Sequence, residues 1–195
     1  RKSTMLKYYK NPDGVVAGID EAGRGCLAGP VVAAAVMLPE DHGLPSLQDS
    51  KQLTESQREA AYEGLMASNY PIGIGIIPPH IIDDINILQA TYLAMHKAID
   101  QLPQKPVELI IDGNRFKPYF GIVHTCVIKG DATYSAIAAA SIIAKVTRDR
   151  YMIKQHDKYP QYDWSQNKGY PTKRHKSAIK LHGLTPLHRK SFRSA

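Results

Sequence analysis

The sequence predicts an α/β fold, a five-stranded mixed sheet flanked by helices, and three observations support that reading. Five short apolar runs, rich in Val, Ile and Ala, have the length and composition of buried strands. The link between the first two is short enough for a hairpin, whereas helical patterns separate the later ones, as parallel crossovers require. With 195 residues and 43% hydrophobic content, the chain can bury a sizeable core.

The first strand is expected at Val15–Asp20 and the second at Val31–Leu38. Thr54 and Gln57 then form a capping pair for a helix over Glu55–Ser68. Pro71–Ile77 reads as a third strand with Gly73 and Gly75 on one face. Ile81, Ile85, Leu88, Tyr92, Met95 and Ile99 follow at helical spacing, with Pro78 and Pro79 in the first turn. Val107–Asp112 and Gly121–Ile128 supply the last two strands. Asp131 is expected to open a long helix ending before Pro160, whose small residues Ala138, Ala139, Ala140 and Ser141 permit close packing on the sheet. A final helix is expected near Thr172–His182.

The formal net charge of +7 suits a polyanionic partner. Cys26 and Cys126 have no metal-type spacing and read as reduced thiols of a cytoplasmic protein. No apolar run is long enough to span a membrane, and "RKSTMLKYYKNPDG" lacks the apolar segment of a secretory leader. After Asp163 there is no Asp or Glu, while Lys168, Lys173, Arg174, Lys176, Lys180, Arg189, Lys190 and Arg193 follow, a pattern suited to tracking phosphates. Three histidines, His175, His182 and His188, lie in the same stretch without the Cys or carboxylate partners of a zinc site.

Asp20 and Asp112 each end a strand, and Asp131 begins the long helix. Open α/β sheets gather ligands at strand ends, so these carboxylates can meet in one cleft. Oxygen ligands in a cluster suit Mg²⁺ or Mn²⁺, and two such ions about 3.5–4 Å apart can hold the attacking and leaving oxygens of a phosphodiester. Each acid also has an ordinary reading: Asp131 as a helix N-cap, Asp112 as a turn starter in "DGN", Asp20 as a strand end. Spacing alone leaves both readings standing. Arg148 and Asp149 read as a structural ion pair. Glu21 follows Asp20 directly, and strand neighbours point to opposite faces, so either the strand ends before Glu21, which is the expectation, or Glu21 contributes partly through its main-chain carbonyl.

The segments "GIDEAGRG", "DSK" (Asp49–Lys51), "LIIDGNR", "KGD", "AAASIIAKVTRDR", "NKGYPTKRH" and "LHRKSF" run in order from Val15 to Phe192 and resemble bacterial ribonuclease HII. The resemblance implies a ribonuclease H-like fold and a site of Asp20, Glu21, Asp112 and Asp131 working with Mn²⁺ or Mg²⁺. It implies hydrolysis of RNA in RNA–DNA hybrids and of duplex DNA 5′ of single embedded ribonucleotides, leaving 5′-phosphate and 3′-hydroxyl ends. Such an enzyme removes ribonucleotides and primers during DNA replication and repair. By the same resemblance Gly23, Arg24 and Gly25 contact the ribonucleotide, Tyr170 stacks on the following sugar, and Lys51 touches the nucleic-acid backbone. Cys26 stands where the family has Pro, which implies a looser loop.

Three regions are expected: an N-terminal extension over 1–13, a catalytic domain over 14–160, and a basic helical region over 161–195 that contributes to substrate binding. A monomer without membrane association is expected. Two competing readings are a carboxylate nuclease needing several consecutive ribonucleotides and a non-catalytic hybrid-binding module.

Overall fold

The computed structural model describes residues 6–44, 47 and 53–192. Five strands, β1 (Ala17–Ala22), β2 (Val31–Val36), β3 (Ile72–Ile77), β4 (Glu108–Asp112) and β5 (Val123–Val127), form one sheet in the order β3-β2-β1-β4-β5. β1 pairs antiparallel with β2 and β2 with β3, while β1–β4 and β4–β5 are parallel. The sheet is mixed, as the hairpin and the crossovers predict.

Helix α2 (Pro79–Asp100) covers one face and α1 (Glu55–Ala67) and α3 (Ser135–His156) the other. Small residues set the spacing. A Cβ on Gly73 or Gly75 would come within 1.9 Å of the Ala98 or Ala94 carbonyl on α2, so the glycines let that helix lie against β3. On the opposite face Ala139 and Ala140 of α3 are fully buried against Val32 and Ala34. A Cβ on Gly18 would sit 2.2 Å from the Ala136 backbone. The Thr54–Gln57 capping box is present in α1.

Helix α4 (Trp164–Asn167) and helix α5 (Lys173–His182) pack their buried Trp164, Ala178 and Ile179 with Tyr162, Met152, Leu27 and Ala28 in a separate apolar cluster. The C-terminal region therefore rests on the loop between β1 and β2. The N-terminal segment is built into the same framework: Lys7 N–H donates to the Thr133 carbonyl at 2.8 Å and the Lys7 carbonyl accepts from Ser135 at 3.0 Å. Tyr9 and Asn11 both donate to the Glu108 carboxylate.

Several bounds differ from the expected ones; β2 ends at Val36 and β5 spans only Val123–Val127. β1 runs through Glu21 to Ala22, because its edge continues to pair with β2 in the register Glu21↔Ala33. The long helix starts at Ser135, not Asp131, and its N-cap position is Tyr134. Asp131 instead lies in a 3-10 turn, Gly130–Ala132, entered through Lys129 in the left-handed region at φ 57°. Asn86 breaks α2 with φ 67°, and its side chain accepts from the amides of Leu88 and Gln89, so it caps the second half of the helix.

Candidate active site

The parallel register Ile19↔Ile111 puts Asp20 and Asp112 at adjacent places on neighbouring strands, at the C-terminal ends of both. With even-numbered β1 residues packed towards α3, Asp20 is 6% exposed and accepts a hydrogen bond from the Ser141 hydroxyl. It also accepts from the Glu21 amide at 2.7 Å. Asp112 Oδ1 accepts from the Gly130 amide at 2.7 Å and the Asp131 amide at 3.4 Å, which ties the end of β4 to the 3-10 turn. That turn carries Asp131, 1% exposed, to the same end of the sheet.

Glu21 reaches the site from the other face. Because β1 continues, its side chain points towards α2, where it lines a cleft of about 360 Å³ with Arg24, Leu88, Tyr92, Asp112 and Arg115. The two neighbours do point to opposite faces, so a site that includes both would wrap over the end of the sheet.

Burial, reinforced by the nearby Glu21 and Asp112 carboxylates, pushes Asp20 well above the usual carboxylate range. Burial also raises Glu21, with Arg24 opposing the rise and Asp112 adding to it. Arg24 Nη1 stands 3.3 Å from Glu21 Oε1. A neighbouring carboxylate adds to both rises, a repulsion that a bound cation would offset. The donor set, all carboxylate oxygen, has the hardness that Mg²⁺ or Mn²⁺ selects. Among the described residues, no three His, Cys, Asp or Glu side chains already stand in a closed metal-binding arrangement.

The loop after β1 holds the other expected residues. Gly23 needs to be glycine: its φ is 93°, and a Cβ there would lie 2.1 Å from Arg148 Nε. Gly25 is different. It has no positive φ, and an added Cβ would meet nothing within 4 Å, so nothing inside the fold demands a glycine there. Arg24 and Gly25 are exposed. Tyr170 is 38% exposed, with Lys145 Nζ 5.4 Å and the Arg148 guanidinium 5.8 Å from its ring centre. Its hydroxyl interacts with the Cys26 thiol, itself fully buried. Lys51 and Arg193 lie outside the described residues.

Arg148 was expected to pair with Asp149. It is fully buried and instead donates to the carbonyls of Pro30 at 2.9 Å, Lys168 at 2.8 Å and Ala28 at 2.9 Å, while Asp149 pairs with Lys145 at 2.8 Å. Two of those bonds, to Ala28 and Pro30, tie the loop that contains Cys26 to α3. Arg189, read as part of a basic surface, is 2% exposed and also faces this loop. Lys173, Arg174 and Lys180 remain exposed on α5 as expected. His175 and His188 are buried with their Nε2 atoms 3.1 Å apart, and the Trp164 indole donates to His175 Nε2. They form a structural network in the core of the C-terminal region.

A family model described as Ribonuclease HII matches residues 17–195. The chain is 57% identical over 188 residues to a ribonuclease HII of Bacteroides thetaiotaomicron, covering 96% of this chain and 94% of that protein. It is 56% identical, over the same shares, to the ribonuclease HII of Phocaeicola vulgatus. Among solved structures it is similar to the ribonuclease H2 from Pyrococcus horikoshii, with a TM-score of 0.76 at 30% identity, covering 93% of this chain and 95% of that one.

Proposed function

The chain belongs to the ribonuclease HII family and is a ribonuclease H-type hydrolase, and on that premise we propose how its own residues divide the work. In this reading it cuts the RNA strand of RNA–DNA hybrids and incises duplex DNA 5′ of a single embedded ribonucleotide, leaving 5′-phosphate and 3′-hydroxyl ends. The observation that carries the reading is the junction at the end of β1. Glu21, in the cleft it lines with Asp112, is bonded to Arg24, the first exposed residue of a loop whose Gly25 has no internal reason to lack a side chain.

Asp20, Glu21, Asp112 and Asp131 would hold Mg²⁺ or Mn²⁺. A bound divalent cation would stabilise charge on the scissile phosphate and lower the pKa of water. Asp112 is oriented for this role by the Gly130 and Asp131 amides. The open surface at Gly25 would admit the ribose, whose 2′-hydroxyl separates RNA from DNA at a single nucleotide. Arg24 would meet the adjoining phosphate. Tyr170 would stack beside the cut, and the exposed cations of α5 would follow the backbone. Lys51 would add a backbone contact, and a monomer would suffice for these roles. No helix among the described residues is long and apolar enough to cross a membrane.

The test is cleavage of an end-labelled duplex carrying one ribonucleotide, with Mg²⁺, Mn²⁺ or EDTA. A single incision 5′ of the ribonucleotide, dependent on the cation and absent from the all-deoxy duplex, is expected. Cutting that requires several consecutive ribonucleotides, or that ignores the ribose, would overturn the reading. Binding without turnover would point to a non-catalytic hybrid-binding module.

A further inference from the structure

Arg189 lies in the segment Leu187–Phe192, far from β1 in sequence and against it in space. Its Nε donates to the Gly29 carbonyl at 3.0 Å, Nη1 to the Arg24 carbonyl at 2.9 Å, and Nη2 to the carbonyls of Gly23 at 2.6 Å and Pro30 at 3.1 Å. Every hydrogen-bond acceptor it has among the described residues is therefore a main-chain oxygen of one loop. The backbone adds to this: Arg189 N–H donates to the Leu27 carbonyl and Gly29 N–H to the Leu187 carbonyl, each at 2.8 Å, with Ala28 and His188 paired as a β-bridge.

Burying a guanidinium is a poor way to fill a core, because desolvation opposes it and an apolar side chain of that volume serves packing better. What the guanidinium supplies is direction. In a trans peptide the N–H points opposite to the C=O. Pulling the Gly23 and Arg24 carbonyls inward turns the amides of Arg24 and Gly25 outward, at the two exposed residues of the loop. No acceptor among the described residues takes either amide. A positive charge on the two carbonyls also polarises the peptides and strengthens their N–H groups as donors.

The clamp is itself fastened. Asp83 on α2 accepts from the amides of Lys190 at 3.0 Å and Ser191 at 2.9 Å and from the Ser191 hydroxyl at 2.6 Å. The Phe192 ring packs 5.0 Å from the Arg189 guanidinium.

We propose that Arg189 is a positioning residue for ribose recognition: from the C-terminal segment it presents the Arg24 and Gly25 amides as an aimed donor pair towards the sugar and phosphate at the cut. The role rests on the ribose-checking function proposed above. Lysine keeps the charge but lacks the planar fork that spans several carbonyls, so Arg189→Lys separates charge from direction.

With the full chain, Arg189→Lys should lower kcat/KM on the one-ribonucleotide duplex by roughly tenfold or more. Its Kd for the all-deoxy duplex, which reports the basic surface alone, should change by less than about twofold. In a Gly25→Ala background the same substitution should cost little more, since both act on one donor pair. Unchanged kcat/KM in a folded Arg189→Lys protein overturns the proposal, as does a loss that falls equally on both duplexes or adds fully to Gly25→Ala. Should Arg189→Lys fail to fold, Asp83→Ala, which frees the same segment from α2, should give the same selective loss at roughly threefold, and no selectivity there would overturn it too. If the unmodified protein ignores the ribose, the functional reading fails and this role with it. If it reads the ribose and Arg189→Lys does so equally well, only the positioning role fails.

Discussion

The Nε of Arg148 occupies the place where a side chain on Gly23 would begin, so that a Cβ built there would lie 2.1 Å away. Two residues along the chain, Gly25 has no such neighbour within 4 Å. Two glycines of one short segment thus differ: the interior presses on Gly23, while nothing inside the fold requires Gly25 to lack a side chain, which is what the proposed approach of a ribose would explain.

Alanine substitutions separate the two. Gly23→Ala should destabilise the protein by about 2–4 kcal/mol, through overpacking and a strained positive φ. Gly25→Ala should leave stability within about 0.5 kcal/mol of the parent while cleavage of the one-ribonucleotide duplex falls tenfold or more, on the order expected when a positioned donor is blocked. Thermal unfolding and steady-state kinetics on both variants check this, and equal loss of stability in both would contradict it.

Asp112→Asn and Asp131→Asn should each reduce cation-dependent cleavage by roughly a thousandfold, since an amide is a poor ligand for a hard cation and carries no charge. Near-normal rates with Mg²⁺ in either variant would remove that residue from the site.

Asp20→Asn should abolish cleavage and yet stabilise the protein when cations are chelated. The folded state raises the Asp20 pKa through burial and the Glu21 and Asp112 carboxylates. A carboxyl raised in this way contributes stability at low pH that is lost as pH rises through its folded value, so at neutral pH ionised Asp20 opposes folding. Asparagine removes the charge and can still accept from the Glu21 amide. A rise in Tm of roughly 3 °C in EDTA at neutral pH, shrinking as the pH is lowered, is the expected result. An unchanged or lower Tm would mean that the cluster is not under electrostatic strain.

The C-terminal region should be labile to acid. Burial pulls His188 down to about 4, with the neighbouring His175 adding to the fall, and burial also lowers His175. Both are therefore neutral when folded, and the bonds fit only that state: His175 Nε2 accepts from the Trp164 indole, and His188 Nδ1 accepts from the Thr185 amide at 2.9 Å. Their contribution is complete above the ordinary imidazole value of 6.5 and is lost as pH falls from there towards about 4. Trp164 fluorescence followed through an acid titration should report this loosening, and His188→Gln should flatten the dependence between those limits.

Much of this architecture can be read from residue patterns. Strand runs, the capping box of α1 and the helical stripe of α2 are local signals, and each appears where the periodicity puts it. Position picks out Asp20, Asp112 and Asp131 without deciding between metal ligand and turn or cap, and the set that includes Glu21 rests on the resemblance of the segments around them. The misplaced details have nonlocal causes. Asp131 seemed an ideal helix cap, but Lys129 takes a left-handed conformation without being glycine, and the turn that follows is anchored by Asp112 and by Lys7 of the N-terminal segment. Glu21 was expected beyond the strand, whereas pairing to Ala33 extends β1 through it. Arg148 reads as half of an ion pair with Asp149, and Arg189 as a surface charge in a basic sequence. Only the folded chain reveals that the loop from Gly23 to Pro30 turns its carbonyls inward to receive them.

The bonds from Arg189 to Gly23 and Arg24 span 166 and 165 positions of the chain. Synthesis proceeds from the N-terminus at about 5–20 residues per second, so the loop emerges many seconds before its anchor has been made. A growing chain can lay down β1 through α3, with all four carboxylates, while the segment that aims the loop is still untranslated. On the role proposed for Arg189, discrimination between sugars would be the last property the molecule acquires, and a chain cut short before Arg189 would carry the acids of a nuclease without its sense of touch.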